Sequence, residues 1–361
     1  MKFLLTLMMF SLIFPIVARQ EDDMDDYISQ VVAEREVTGL AFALIQGGEV
    51  TLMKGYGWAN VEEEIPVTEN TVFNVASMGK AITAWATLKL VEEGKLDLDV
   101  PVSQYLTRWT IPESEFDADG VTIRRILSHT SGLGIEGYRG FSDPEDLPTL
   151  ESLLAGDFRY GNPVTLEYEP GTQFLYSGGG YTVLQLVIEE VTGMGFAEYV
   201  DEAIFQPLEM TNSSFSGISA FDTPPAVGYN TSGRSVPPLY FTAQAAGGLY
   251  TSAADMTKFV LAHMPGKNDE PVGRGIISPE SVQLATSATE VSPNYGFGYF
   301  VHPPVVWHDA FNRGWRGVFA ISPDVSFVAL SNSEAGYFAI TDVICQMDFG
   351  DYCQVLQQYQ G

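Results

Sequence analysis

The sequence has few basic side chains, and this scarcity limits what the protein can bind. Lysine and arginine together number 18, against 46 aspartate and glutamate residues, which gives a formal net charge of −28 at pH 7. A surface of that sign repels phosphate backbones and anionic lipid headgroups. Because the acidic residues are spread along the chain, we interpret them as a solvating surface. We expect no nucleic-acid partner and no binding to membrane surfaces.

Cysteine is almost absent, since only Cys345 and Cys353 occur. Two cysteines without nearby histidines make a poor metal site, so we expect no metal. In an oxidising compartment the two thiols can form one disulfide that closes a small loop near the C-terminus. The sequence leaves this pairing open.

Two common signatures of other enzyme classes, each a motif in a defined structural context, are also missing. No Gly-x-Gly-x-x-Gly follows a strand pattern, which argues against a nucleotide or flavin cofactor. No Gly-x-Ser-x-Gly elbow occurs, which disfavours an α/β-hydrolase with a Ser-His-Asp triad. We therefore expect chemistry that needs no cofactor.

Long hydrophobic runs are missing after the N-terminus. Lys2 precedes an apolar run over residues 3–17 that ends near small side chains. That run is too short to span a bilayer comfortably, which takes about 20 apolar residues. We predict a signal peptide over residues 1–18 and a secreted or periplasmic protein over residues 19–361, without stable membrane insertion after cleavage. A retained N-terminal anchor is the alternative.

Strand patterns occur at both ends of the chain. Residues 40–46 and 50–54 flank the turn pair Gly47-Gly48 and predict a hairpin. Three further strand patterns lie near the C-terminus, over residues 296–301, 315–321 and 326–331. Strands this far apart in sequence indicate one sheet that is assembled from both ends of the chain.

The middle third of the chain has helical patterns instead. They cover residues 122–127, 150–154 and 181–191, between loops rich in Gly, Pro and Asp. We predict an α/β (α+β) fold, in which helices flank an antiparallel sheet built from the N- and C-terminal segments and an all-helical lobe is inserted. The sheet lobe covers about residues 25–99 and 240–361, and the helical lobe about 100–239.

Ser77-Met78-Gly79-Lys80 lies at the start of a predicted helix over residues 76–93 that has almost no polar face. Such a helix is buried, and a lysine at its head is partly desolvated, which lowers the lysine pKa and lets the amine act as a base. A spacing of three places the hydroxyl and the amine on one helical face. Backbone amides at the helix start can stabilise an oxyanion. A surface Ser and Lys that cap a helix are the alternative.

Residues 71–80 resemble the nucleophile segment of the serine β-lactamase and penicillin-binding-protein superfamily. The likeness is closest to the class C β-lactamases and their esterase and D-peptidase relatives. Further similar segments follow in the same order, at residues 126–133 (Ile-Leu-Ser-His-Thr-Ser-Gly-Leu), 169–171 (Glu-Pro-Gly), 174–178 (Phe-Leu-Tyr-Ser-Gly), 205–211 (Phe-Gln-Pro-Leu-Glu-Met-Thr) and 246–249 (Ala-Gly-Gly-Leu). The resemblance implies a β-lactamase/DD-peptidase-like fold with Ser77 as nucleophile.

The resemblance also implies a role for Tyr176, whose phenol would accept the serine proton and later pass it to a leaving group. A core tyrosine is the alternative. The family often has Asn where this chain has Gly178. That Asn orients substrate amide groups and the lysine, so its replacement weakens the case for amide or β-lactam substrates.

The family's third motif is a basic residue, any residue and a glycine on a strand that lines the site. Counting back from the turn at residues 322–324 places His308-Asp309-Ala310 there. The resemblance then implies that His308 hydrogen-bonds near Tyr176 or the substrate. A loop histidine is the alternative, and a register through residues 312–314 ranks second because it needs a gap.

This register assigns two further residues. Phe311 would supply the second oxyanion amide beside the amide of Ser77. Asp309 stands where the family often has a hydroxyl that helps hold a substrate carboxylate. An acid there would repel a carboxylate and could favour a cationic amine.

The sequence therefore predicts an exported serine hydrolase that forms an acyl-enzyme on Ser77, with small esters, amides or peptides as substrates. Ester hydrolysis ranks first, D-peptide or amine-bearing amide hydrolysis second and β-lactam hydrolysis third. A non-catalytic binding or sensor protein with a retained pocket is the alternative of another class.

Overall fold

The computed structural model describes residues 13–346 and residue 353. The predicted signal peptide lies largely outside these residues, so export stays a prediction. Helix α1 (Ile13–Glu34) and helix α10 (Gly336–Gln346) are the first and last helices of the continuous part. A disulfide joins Cys345 to Cys353. No helix within the described part of the chain is both long and apolar enough to cross a membrane.

A seven-stranded antiparallel sheet forms the centre of the molecule, in the order β3-β2-β1-β9-β8-β7-β6. Its strands are β1 (Gly39–Gln46), β2 (Glu49–Asn60), β3 (Ile65–Pro66), β6 (Phe300–His302), β7 (Val305–Asn312), β8 (Trp315–Ile321) and β9 (Val325–Ser331). Strand β1 pairs with β9 from Leu40–Ser331 to Gln46–Val325. This pairing of distant segments confirms the predicted fold class.

Successive residues of the central strands face opposite sides of the sheet, and both sides are buried. Phe42 and Phe327 stack with ring centroids 6.2 Å apart in the core that includes α1 and α10. Ala43 and Val328 belong to the larger core on the other side, where helix α8 (Ala253–Leu261) packs. Because both faces are covered, the central strands are almost entirely apolar.

A separate two-stranded sheet leads into the most buried helix. Strand β4 (Val72–Ala76) pairs with β5 (Leu249–Ser252), and helix α2 (Gly79–Glu92) follows β4. The predicted burial of this helix is confirmed, since nearly every residue from Gly79 to Leu90 is buried. The predicted start at residue 76 is wrong, because Ala76 pairs with Leu249 in the β-ladder.

Residues 100–239 contain short helices and loops, which the structure describes throughout. The α-helices there are α3 (Ile123–Leu127), α4 (Leu150–Ala155), α5 (Gly178–Thr192) and α6 (Phe196–Val200), and a π-helical turn (Asp201–Phe205) follows α6. Helix α5 starts where the Ser177 hydroxyl accepts a hydrogen bond from the Gly180 amide at 2.8 Å. The remaining α-helices of the described residues are α7 (Gln244–Gly247) and α9 (Pro279–Ala285).

The predicted strand over residues 296–301 is largely a loop, since β6 begins only at Phe300. Gly298 has a φ of +83°, which side-chain-bearing residues rarely adopt. A Cβ there would lie 2.7 Å from the Lys80 carbonyl oxygen. This loop therefore packs directly against the first turn of α2.

Candidate active site

A sharp turn between β4 and α2 presents Ser77. Ala76, the last residue of β4, has a φ of +43°, which is uncommon for a residue other than glycine. The Lys80 amide then donates to the Ser77 carbonyl oxygen at 3.0 Å, which closes a tight turn before the regular helix. Ser77 is partly exposed between buried neighbours. The strand–turn–helix geometry thus leaves this one hydroxyl accessible.

Lys80 lies directly behind the Ser77 hydroxyl. Its Nζ is 2.9 Å from Ser77 Oγ and donates to the Ala246 carbonyl oxygen at 2.5 Å. The side chain is only 1 % exposed. Burial lowers the pKa of Lys80 from 10.5 to about 7, while the negative charge of Asp309 acts in the opposite direction. A large fraction of the amine is therefore uncharged at neutral pH and can accept a proton.

Tyr176 precedes α5 and completes a cluster with Ser77 and Lys80. The Lys80 Nζ lies 5.0 Å from the centroid of the Tyr176 ring. Burial raises the pKa of Tyr176 well above its ordinary value, and a hydrogen bond with the Ser77 side chain opposes this shift. The phenol is therefore protonated in the resting site. Of the two neighbours of Ser77, Lys80 is the better base and Tyr176 the better proton donor.

His308 lies on β7, fully buried, with its Nε2 3.4 Å from the Tyr176 Oη. Its Nδ1 lies 2.9 Å from the Asp309 carbonyl oxygen, which can only accept, so Nδ1 carries the hydrogen. Burial, together with the charge of Lys80, lowers the pKa of His308 to about 3. The ring is therefore neutral and offers the Nε2 lone pair to the phenol. At 3.4 Å this contact is long for a hydrogen bond.

His129 holds the Tyr176 segment from both sides. The Leu175 amide donates to the His129 carbonyl oxygen at 2.8 Å, and the Ser177 amide donates to His129 Nδ1 at 3.0 Å. The imidazole lies against the Tyr176 ring, with centroids 4.2 Å apart. These contacts fix the backbone on both sides of Tyr176 and the plane of its ring.

A pair of asparagines connects the nucleophile strand to β7. The Asn312 side-chain amide donates to Asn74 Oδ1 at 2.6 Å, and the Asn74 amide donates to the Leu249 carbonyl oxygen at 3.4 Å. These bonds link β4, β5 and β7. Asn74 was not predicted as a site residue, although it is a polar interruption in an apolar strand, and Asn312 belongs to the register that ranked second.

A cavity of about 1030 Å³ opens above Ser77. Its other lining residues include Tyr176, Asp309 and Phe311, so the structure brings these four predicted residues to one cavity. The side chain of Phe311 is 70 % exposed there. Residues 136–140 form another part of the cavity wall, and they were not predicted as site residues.

Gly178 lies beneath that wall and is buried. Its amide donates to the Glu136 carbonyl oxygen at 2.9 Å, and a Cβ at Gly178 would lie 2.9 Å from that same oxygen. Gly179 is packed as closely, since a Cβ there would lie 2.3 Å from the Gly134 carbonyl oxygen. An asparagine side chain at position 178 thus has no room unless the loop moves.

The comparison with protein families decides the family. A family model described as Beta-lactamase matches residues 24–341. This chain belongs to the β-lactamase family. Among the β-lactamase-family relatives, the putative penicillin-binding protein PbpX of Bacillus subtilis is 32 % identical over 287 residues, which cover 78 % of this chain and 66 % of that protein.

Solved structures of the β-lactamase fold are also similar. The octameric penicillin-binding protein homologue from Pyrococcus abyssi superposes with a TM-score of 0.73 and 28 % identity, covering 90 % of this chain and 77 % of that one. EstCE1, described as a hydrolase with promiscuous acyltransferase activity, superposes with a TM-score of 0.68 and 22 % identity, covering 88 % and 95 %. At 22 % identity the second likeness shows the fold alone.

Proposed function

We propose that the protein is a serine hydrolase that forms an acyl-enzyme on Ser77, with carboxylic esters as its preferred substrates. One observation carries the proposal. A buried amine with a pKa of about 7 lies 2.9 Å from a serine hydroxyl that lines a large cavity. A buried lysine is costly to keep unless its uncharged form has a use.

Acylation follows from this arrangement. The uncharged Lys80 amine takes the Ser77 proton while Oγ attacks the ester carbon, so the amine becomes an ammonium and the carbonyl oxygen an oxyanion. The backbone amides of Ser77 and Phe311 stabilise the oxyanion. As the ester bond breaks, Tyr176 gives its proton to the leaving alkoxide and recovers one from the Lys80 ammonium.

Deacylation reverses these roles with water in place of the alcohol. The Lys80 amine, with Tyr176 as relay, takes a proton from the water that attacks the acyl carbon. The Ser77 oxygen then leaves and regains a proton. The neutral His308 ring accepts a hydrogen bond from Tyr176, which keeps the phenol oriented between turnovers.

Esters rank above amides and β-lactams for three reasons. The buried contact between Gly178 and the 136–140 loop leaves no room for an amide-orienting asparagine. The uncharged His308 supplies less positive charge at β7 than a lysine would, and the Asp309 carboxylate beside it disfavours a substrate carboxylate that has no ammonium group next to it. An activated ester also has the better leaving group.

The test is a substrate panel of p-nitrophenyl acetate, butyrate and octanoate, with nitrocefin and D-alanine p-nitroanilide. We expect ester turnover by the wild type, and a loss of about 10³-fold or more in kcat/KM for Ser77→Ala. Ser103→Ala, an exposed serine in the helical region, is the matched control. A wild type no faster than Ser77→Ala on every substrate would favour a non-catalytic binding protein.

The pH dependence of ester hydrolysis follows from Lys80. Below its pKa of about 7 the amine is charged and cannot accept the serine proton. We therefore expect kcat/KM for the butyrate ester to rise with pH through an inflection near 7 and then level off. A profile measured between about pH 5 and pH 9 that is flat or falls through neutrality contradicts this assignment.

Substitution of His129 tests the positioning of Tyr176. His129→Leu removes the acceptor for the Ser177 amide, and displacing a catalytic group can cost up to about 100-fold in kcat. Asparagine can place its side-chain oxygen near the Nδ1 position, so we expect His129→Asn to recover most of that loss. The measurement is kcat and KM for both variants, and equal losses would contradict the positioning role.

A further inference from the structure

Two opposite charges lie on the same face of the sheet at the cavity. Asp309 on β7 pairs with Val318 on β8, and Phe311 pairs with Arg316. Asp309 and Arg316 are therefore diagonal neighbours across the two strands, a relation that typically separates residues by about 7–8 Å. Both side chains line the same cavity as Ser77.

Arg316 is held in place by hydrogen bonds and a ring contact, but part of its guanidinium has no hydrogen-bond partner within the described residues. Its Nη1 donates to the carbonyl oxygens of Asn312 and Trp315, each at 2.7 Å, and its Cζ lies 3.6 Å from the centroid of the Phe311 ring. The residue is only 9 % exposed. No carboxylate within residues 13–346 lies within 4 Å of the guanidinium, and its Nε and Nη2 donate to no group there. A preorganised donor fork thus lines the cavity.

Asp309 also lacks a charged partner. Its side chain is 43 % exposed, and the nearest basic nitrogen in the described part of the chain is His308 Nδ1 at 3.6 Å. That ring is neutral and donates its hydrogen to the Asp309 carbonyl oxygen instead. The carboxylate is therefore available to a ligand.

The neighbouring acid of the cavity is already satisfied. Glu334 Oε1 accepts from the Gly314 amide and Oε2 from the Thr231 amide, each at 3.1 Å. Glu136, Arg139 and Arg313 also line the cavity. Asp309 and Arg316 differ from them because they are opposite charges on one face of the sheet, where they attract each other without forming an ion pair. A ligand with both a positive and a negative charge can form an ion pair with each of these two side chains. A ligand with a single charge is attracted by one of them and repelled by the other.

We propose that Asp309 and Arg316 form a subsite for a zwitterionic group, an ammonium and a carboxylate on one carbon, as in the free α-amino-acid end of a substrate. The ammonium pairs with Asp309, and the carboxylate with the free edge of the Arg316 guanidinium. This deepens the proposed function and rests on it for placing the scissile carbonyl at Ser77.

Binding to the Ser77→Ala protein tests the subsite without turnover. Four matched butyramides differ only at one end: Nε-butyryl-lysine is zwitterionic, mono-N-butyryl-cadaverine has the ammonium, 6-(butyrylamino)hexanoate has the carboxylate, and N-pentylbutyramide has neither. Calorimetry should give a Kd for one enantiomer of Nε-butyryl-lysine about tenfold or more below those of the other three ligands. Comparable affinity for all four, or a preference for a singly charged one, overturns the proposal.

Substitutions on the Ser77→Ala background assign each charge. Asp309→Asn should abolish the affinity that the ligand gains from its ammonium and keep the affinity that it gains from its carboxylate. Arg316→Gln should have the reverse effect. Arg316 also binds two carbonyl oxygens at the β7–β8 turn, so replacing it by glutamine removes a structural contact as well as a charge. Arg316→Lys, which keeps the positive charge, and a circular dichroism spectrum of each variant are the controls for this structural effect. Equal weakening of all four ligands by Asp309→Asn contradicts the subsite. Failure of the proposed function would instead appear as absent ester turnover by the wild type.

Discussion

Replacing Lys80 by methionine is expected to lower kcat/KM for ester hydrolysis by about 10³-fold or more, because the base beside the nucleophile is lost. Methionine has a similar length and no charge, so it fits the buried position. The same substitution removes the free energy of keeping a lysine uncharged in the core. We therefore expect the melting temperature at neutral pH to rise by about 2 °C or more, although the Ala246 carbonyl loses its 2.5 Å donor.

The pKa shift of Lys80 explains why Lys80→Met should be more stable than the wild type at neutral pH. The Lys80 pKa is 10.5 in the unfolded chain and about 7 in the folded one. Between these values the unfolded state binds the extra proton, so wild-type stability rises with pH across that window. The methionine variant should lack this contribution. A charged, well-satisfied lysine would give the opposite outcome, a variant that is less stable and shows the wild-type pH slope.

Tyr176→Phe is expected to lower kcat by about 10²- to 10³-fold, because the leaving alkoxide loses its proton donor. The ring remains, so packing against His129 is kept and the fold should be unaffected. The measurement is kcat/KM for ethyl butyrate and for p-nitrophenyl butyrate, because p-nitrophenolate leaves without taking a proton. A larger loss for the alkyl ester would show that the phenol protonates the leaving group in acylation.

Tyr181→Phe is the matched control. Its ring also lies near Lys80 Nζ, at 5.5 Å from the centroid, but its hydroxyl donates to the Leu127 carbonyl oxygen at 3.0 Å. The control should cost roughly 1 kcal/mol of stability and change kcat by less than about threefold. Equal losses of kcat in both variants would mean that the Tyr176 hydroxyl has no special role.

The parts of the fold and of the site that could be predicted from sequence are those that depend on residues close together in the chain. The three-residue spacing of Ser77 and Lys80 and the mostly apolar run of β8 depend on neighbours in the chain, so both could be anticipated. The first turn of α2 could not. Ala76 is a good helix former, yet it is held in β4 by Leu249, which lies far along the chain. Tertiary pairing overrides propensity at such a boundary.

The missed parts of the site depend on contacts between distant segments. Nothing in the local sequence of Gly178 indicates that the 136–140 loop passes 2.9 Å from its missing Cβ. Arg316 could have been noticed only after the β7–β8 register was known, since that register alone places it beside Phe311 and Asp309. The specificity of the cavity is therefore harder to predict from sequence than its nucleophile.

The central claim is that the Ser77 oxygen is a nucleophile activated by an uncharged amine, and covalent trapping tests it most directly. A fluorophosphonate should form one Oγ–P bond with loss of fluoride, which intact-mass spectrometry reports as a single adduct per chain. We predict that the adduct maps to the peptide containing Ser77, forms faster as pH rises through 7, and is absent from Ser77→Ala. An unmodified wild type, or an adduct that persists in Ser77→Ala, would contradict the account.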